Sequence, residues 1–251
     1  MKKYLASLLA LVMCLSLLAA CGDPGGATSG APGSNPPASQ AIDPDKQGST
    51  AVTIGYVGGH YACYPSSANS DDFIQQGMVY DKLFEVDDNT GEYTSRVLSS
   101  WEWADDQTLV MTLKDGITFS DGKQMTAEDV LFSIRNYIDQ GETTDKYQYF
   151  QYIDFDASTI SEDGMTLTLV YQFPYGPAER TLNCSIMQKE FTQAHDNADQ
   201  IWYTGPVGSG PYEITDCVQD SYVTFTLRDD YWNTDYTYDA TEITLRFYTD
   251  E

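Results

Sequence analysis

The stretch Trp101–Tyr137, WEWADDQTLVMTLKDGITFSDGKQMTAEDVLFSIRNY, decides how this chain is read. Leu109, Met111 and Leu113 alternate with Val110, Thr112 and Lys114, the period-two pattern of a half-buried strand. Asp105-Asp106 before it and Asp115-Gly116 after it supply turns. A second short strand, Ile117–Phe119, runs into Asp121-Gly122, a strong hairpin-turn signal. Thr126 then stands as an N-cap, with Asp129 three residues on able to reach back to it. Glu128 and Asp129 both sit where the helix dipole favours negative charge. Ala127, Val130, Leu131, Ile134, Tyr137 and Ile138 fall on one face of the helix that follows. Periodicity alone therefore predicts a strand, a hairpin and a capped helix packed as an α/β unit.

The particular residues carry more than their periodicity. The run W-E-W-x-D-D, L-x-D-G-I-x-F-x-D-G and T-A-E-D-V-x-F-S, followed in order by Pro206-Val207-Gly208-Ser209-Gly210-Pro211-Tyr212 and Asp230-Tyr231-Trp232-Asn233, resembles the extracellular solute-binding proteins that feed peptide and nickel ABC importers. The resemblance implies an α/β fold: a periplasmic-binding-protein-like lobe with mixed β-sheets and flanking helices, of type II and the large peptide-binding subclass. In that family the final strand crosses into a second lobe, and ligand is enclosed between the two. The resemblance places no second lobe in this chain, so an N-terminal portion of a longer protein is expected, the alternative being a diverged single-lobe product.

Outward toward the N-terminus, Met1-Lys2-Lys3 is a basic start, Leu5–Leu18 an apolar run, and Leu18-Ala19-Ala20-Cys21 a small-residue close. This predicts a signal peptide over 1–20, the apolar run being short for a bilayer span. Leu-Ala-Ala-Cys followed by Gly resembles a bacterial lipobox, which implies that Cys21 becomes an acylated N-terminus, a lipid anchor at the cell membrane. Gly22–Ser49 is dominated by Gly, Ser, Pro, Ala and Thr and cannot bury enough surface to offset its ordering entropy, so 21–50 is expected to be a lipidated flexible tether. At about 5–6 Å × √n, such a coil reaches on the order of 30 Å.

Thirty-eight Asp and Glu against thirteen Lys and Arg give a formal net charge of −25. A nucleic acid is excluded as partner, since neutralising phosphates needs clustered basic residues. The charge favours solubility and, mildly, cationic solutes. Catalysis finds little footing: His60 and His195 are the only histidines, and no Gly-x-Ser-x-Gly, His-Glu-x-x-His or Cys-x-x-Cys occurs. No cofactor is implied and no catalytic residue assigned. His60 with Cys63 as a nucleophile pair lacks a third orienting group, and His60, Cys63 and Asp71 form at most a loose metal set, so no metal ligand is assigned. Cys184 and Cys217 are able to pair in an oxidising exterior, a point spacing does not settle.

Val52–Val57 reads as the first strand, ended by Gly58-Gly59. The resemblance implies that the following loop, HYACYPSSANSDD, touches ligand through Asn69, Ser70 and Asp71, although the family's Leu-Asp-Pro is replaced here by Ala62-Cys63-Tyr64-Pro65. Phe73–Phe84 reads as a buried helix. Tyr147–Ile153 is a tyrosine-rich segment, readable either as a recognition surface or as a core patch under a loop. In peptide-binding relatives a tyrosine from this segment lies against the peptide, which implies ligand contacts for Tyr147 and Tyr149. Met165–Tyr171 alternates as a strand. The two glycines around Ser209 predict close backbone approach or positive φ, not a phosphate loop. Val223, Phe225 and Leu227, then Ile243, Leu245 and Phe247, give two final strands.

The expected organisation is a discontinuous lobe from 51–66 and 184–251, with 67–183 as an inserted subdomain. The expected function is extracytoplasmic binding of a solute, an oligopeptide first, for delivery to an ABC permease. The alternatives are nickel or another solute in the same family, or a secreted hydrolase or ligand sensor that reuses the fold.

Overall fold

The computed structural model describes residues 50–59, 62–66, 73–87, 89–142, 144 and 146–248. The expected signal peptide and all but the last residue of the tether lie outside them. Two four-stranded sheets carry the chain. One takes strands from its beginning and end, the other from its middle.

The middle sheet has the order β4 (Leu98–Trp103), β5 (Thr108–Leu113), β7 (Thr166–Val170), β6 (Thr159–Ile160), antiparallel throughout. The alternation read from the sequence is the burial seen. Leu109, Met111 and Leu113 are buried on one face with Leu167 and Leu169, while Val110 and Thr112 are half-buried on the other. The inward face packs on helix α2 (Ala127–Asp139) through Val130, Ile134 and Tyr137. Asp129 closes the start of α2 by accepting from the Thr126 backbone N–H at 2.9 Å, and its second oxygen accepts the Lys189 N–H at 2.9 Å. One buried carboxylate thereby holds the starts of α2 and α5 (Lys189–Ala194) together. The hairpin at 117–125 forms as expected, with Phe119 and Lys123 backbone-bonded and Gly122 at φ 81°, a left-handed position that favours glycine.

The outer sheet runs β1 (Thr50–Val57), β10 (Ala240–Tyr248), β9 (Tyr222–Leu227), β8 (Tyr212–Val218). β1 pairs parallel to β10, joining residues about 190 positions apart, and the other pairs are antiparallel. Val223, Phe225, Leu245 and Phe247 form a second core with Cys63, Val79 and Tyr80. Short pieces complete the frame: α1 (Phe73–Val79), β2 (Glu85–Val86), β3 (Tyr93–Thr94), α3 (Tyr147–Phe150), α4 (Ala178–Thr181) and α6 (Ile201–Thr204).

One expectation is corrected, and two features not foreseen are added. The helix predicted over 73–84 stops at Val79, because from Asp81 onward the backbone pairs elsewhere: Leu83 N–H donates to Cys184 O and Ile186 N–H to Asp81 O. Nor is that helix buried all round, since Ile74 is exposed. β1 is apolar in sequence yet exposed along nearly its whole length, Val57 at 65%, because it is an edge strand with β10 as its one neighbour. Cys184 and Cys217 are not disulfide-bonded: Cys184 lies in the first core and Cys217 against the second. β4 and β8 went unread in the sequence, their hydrophobic alternation being interrupted by Ser, Glu and Asp.

Candidate functional site

The loop that follows β1 is anchored at its stem. Tyr64 Oη donates to Asn136 Oδ1 at 3.0 Å, the Ser66 hydroxyl donates to the same oxygen, and Gln140 Nε2 donates to Tyr64 Oη at 3.3 Å. Tyr137 Oη donates to Pro65 O at 2.9 Å, and Tyr80 Oη to Cys63 O at 2.8 Å. Tyr64 also meets the Trp202 ring edge-on at 4.7 Å. The stem 63–66 is thus buried against the C-terminal half of α2. Of these residues Tyr64 and Ser66 contribute side chains, and Cys63 and Pro65 their backbone oxygens.

The tyrosine-rich segment attaches to that same helix. Phe150 is buried edge-on against Tyr137 at 5.7 Å, and Thr144 Oγ1 donates to Tyr137 O at 2.9 Å. Tyr137 therefore touches both regions from which ligand contacts were expected, its hydroxyl on the loop stem and its ring on α3. Burial divides the segment residue by residue. Phe150 and Ile153 are core, Tyr147 is half-buried, and Tyr149 is exposed at 37%. Asn69, Ser70, Asp71 and His60 lie outside the described residues; Cys63, the described member of the loose metal set, is fully buried. Among the described residues no group of three His, Cys, Asp or Glu side chains is placed to hold a metal ion, and no helix is long and apolar enough to cross a membrane.

The Gly-Ser-Gly and Asp-Tyr-Trp-Asn motifs meet at the seam between the two cores. Gly208 and Gly210 run directly over the backbone at the end of α1, and a Cβ on Gly210 would lie 2.6 Å from Met78 O. Neither glycine has positive φ, so close approach is the reason for both. Asp81, 3% exposed, accepts from Trp232 Nε1 at 3.0 Å and Tyr231 Oη at 3.1 Å, while its own N–H donates to Ser209 Oγ at 3.3 Å. Burial raises its carboxyl to about 6, against the pull of the Trp232 and Tyr231 bonds and the Arg96 charge. Arg228, 5% exposed, donates to Gly210 O at 3.1 Å, Phe119 O at 3.2 Å and Gly208 O at 3.5 Å. One guanidinium thus ties the Gly-Ser-Gly motif to the hairpin at Phe119. Sequence reading did not single out Arg228, Asp81 or Asn136. A lone Arg following a strand and a lone Asp after a helix are ordinarily surface residues, and only the local density of motif residues around them gave a signal.

An outer sheet whose parallel pair brings together strands from opposite ends of the chain, a second sheet from its middle, and a loop after the first strand that shares one helix with a tyrosine segment define a lobe of the type II periplasmic-binding fold. Among solved structures, a nickel-histidine-bound NikZ from Campylobacter jejuni superposes with a TM-score of 0.68 at 18% identity, covering 79% of this chain and 39% of that one. The model of bacterial extracellular solute-binding proteins, family 5 Middle, matches residues 92–251. The chain belongs to that family. It is 30% identical over 152 residues to the nickel-binding protein NikA of Staphylococcus aureus, covering 61% of this chain and 28% of NikA. It is 27% identical over 177 residues to the dipeptide-binding protein of Escherichia coli, covering 62% and 33%. The chain thus spans about a third of the length of these relatives.

Proposed function

We propose that this protein is the extracytoplasmic solute-binding component of an ABC-type importer, that its cargo is an oligopeptide, and that Cys21, acylated at the mature N-terminus, tethers it to the membrane through 21–50. The observation that carries the peptide reading is the exposed Tyr149 on a segment locked in place by Phe150 and Tyr137. A tyrosine so held offers contact area at low entropy cost, suited to cargo recognised by its main chain and not by one side chain. Asn69, Ser70 and Asp71 are proposed as further contacts, since the stem of their loop is anchored on the helix that positions Tyr147 and Tyr149. Residues 51–66 and 184–251 are proposed as one discontinuous lobe with 67–183 inserted; the membership of the two sheets supports that division. Binding is nonchemical, and the peptide leaves intact.

Calorimetry of the protein against a mixed peptide library, with mass spectrometry of recovered ligand, tests the reading. Tyr149→Ala and Tyr147→Ala each weaken peptide binding by about 1–3 kcal/mol, the scale of a lost aromatic contact, with the thermal midpoint nearly unmoved for the exposed Tyr149. Unchanged affinity in both variants removes the site. Cleaved peptide points to a hydrolase, and tight nickel binding without peptide points to the cargo named in the staphylococcal relative.

A further inference from the structure

A cavity of about 520 Å³ opens beside the β4–β5 turn, lined by Trp103, Asp105, Asp106, Pro174, Tyr175 and Gly176. Its size falls within the range of small-molecule sites, roughly 300–1,000 Å³. The walls are fixed. Trp103 Nε1 donates to Glu179 Oε1 at 3.2 Å, which sets the indole, and its ring lies 6.0 Å from Tyr171. Tyr175 stacks on the buried Tyr171 at 4.6 Å with rings 15° apart, and its N–H donates to Asp106 O at 3.2 Å. The β4–β5 turn is held by Asp105, whose carboxylate accepts the Gln107 N–H at 2.8 Å. That bond keeps the Asp105 carboxyl below its ordinary value and therefore charged at neutral pH.

Two aromatic residues and two aspartates line the cavity with no basic residue among them, a set that favours a cation. Aromatic quadrupoles attract a cation lying over the ring, and quaternary ammonium groups suit such cages because they combine charge with an apolar shell. The charge of the chain, −25, adds attraction at long range. A neutral apolar ligand gains nothing from Asp105 and Asp106, and an anion is repelled by them. From this geometry we propose that the cavity is a binding site for a small organic ammonium ion, seated between Trp103 and Tyr175 with its charge toward Asp105 and Asp106. The site is complete within the middle sheet and its loops. Its lining residues are distinct from Tyr147 and Tyr149, but Tyr175 adjoins the tyrosine segment through Tyr152 at 6.4 Å, and the two ligands are therefore measured separately.

The test titrates the 251-residue chain with choline, as the probe, against 3,3-dimethylbutan-1-ol, its uncharged isostere, by calorimetry and tryptophan fluorescence. Choline is expected to bind saturably, at least about tenfold tighter than the isostere, and more weakly as salt rises. Asp105→Asn with Asp106→Asn preserves the acceptor for the Gln107 N–H and is expected to lower choline affinity at least about fivefold. Trp103→Phe, which keeps an aromatic ring against the core, is expected to abolish the fluorescence response. Equal binding of choline and isostere, no saturable binding of choline, undiminished affinity in the double variant, or a persisting fluorescence response in Trp103→Phe each overturns the site. Peptide affinity is measured in the same double variant and is expected to be unchanged; a parallel loss of both ligands would mean one shared site and overturns the independence of this one.

Discussion

Removing the Arg228 guanidinium should cost this fold more than removing any surface charge, and the structure says why. Arg228 donates to two backbone oxygens at 3.1 and 3.2 Å and a third at 3.5 Å, while its contact to a carboxylate, Asp230 at 3.1 Å, is to a side chain 66% exposed. Hydrogen bonds from a charged donor contribute about 1.5–3 kcal/mol each, and the exposed ion pair about 0–1 kcal/mol. In Arg228→Met the cost is limited, because Phe119 O still accepts the Gly122 N–H and Gly208 O the Ser120 N–H. Gly210 O loses the donor seen for it here, in a buried place. The expected loss is about 3 kcal/mol for Arg228→Met, less than the sum of the bonds because desolvation of the charge is relieved as well. Arg228→Lys, which keeps the charge but not the fork, should lose about 2 kcal/mol. Asp230→Ala should lose under about 1 kcal/mol. Urea unfolding followed by tryptophan fluorescence measures all three. If Asp230→Ala costs as much as Arg228→Met, the ion pair and not the carbonyl clamp holds the seam, and the reasoning fails.

Asp81 predicts a pH dependence. Its folded carboxyl sits at about 6 against an ordinary 3.8, so the folded state holds this proton more tightly than the unfolded chain. That contribution is full below pH 3.8 and is lost as pH rises through 6. Over that window the wild type should lose on the order of 3 kcal/mol relative to Asp81→Asn, since each pH unit between the two values is worth about 1.4 kcal/mol; a flat difference between their urea midpoints from about pH 4 to 7 refutes it. For the membrane tether, mass spectrometry of the mature N-terminus should find diacylated Cys21, and Cys21→Ala should release the protein from membranes. An unmodified N-terminus at another residue refutes it.

The pieces whose physics is local were legible in the chain alone. The buried set Leu109, Met111 and Leu113, the α2 start at Thr126 and Asp129, and the Gly122 turn are fixed within a few residues by periodicity, capping and φ, and each appeared where it was read. The motifs in their order were enough to indicate the family. What depends on distant partners was set only once the chain had folded. Helix α1 ends at Val79 because Cys184, Ile186 and Gly210 bond the backbone groups that would continue it, which no local window reveals. β8 exists because β9 supplies its ladder, despite a sequence broken by Glu213 and Asp216. Of the candidate site, Tyr147 and Tyr149 were legible as a tyrosine cluster, but which of its rings faces solvent was settled by Tyr137 capturing Phe150. Arg228 and Asp81 illustrate the same limit. A charged residue is buried only when several remote polar groups converge on it, and that convergence belongs to the fold and not to any stretch of chain.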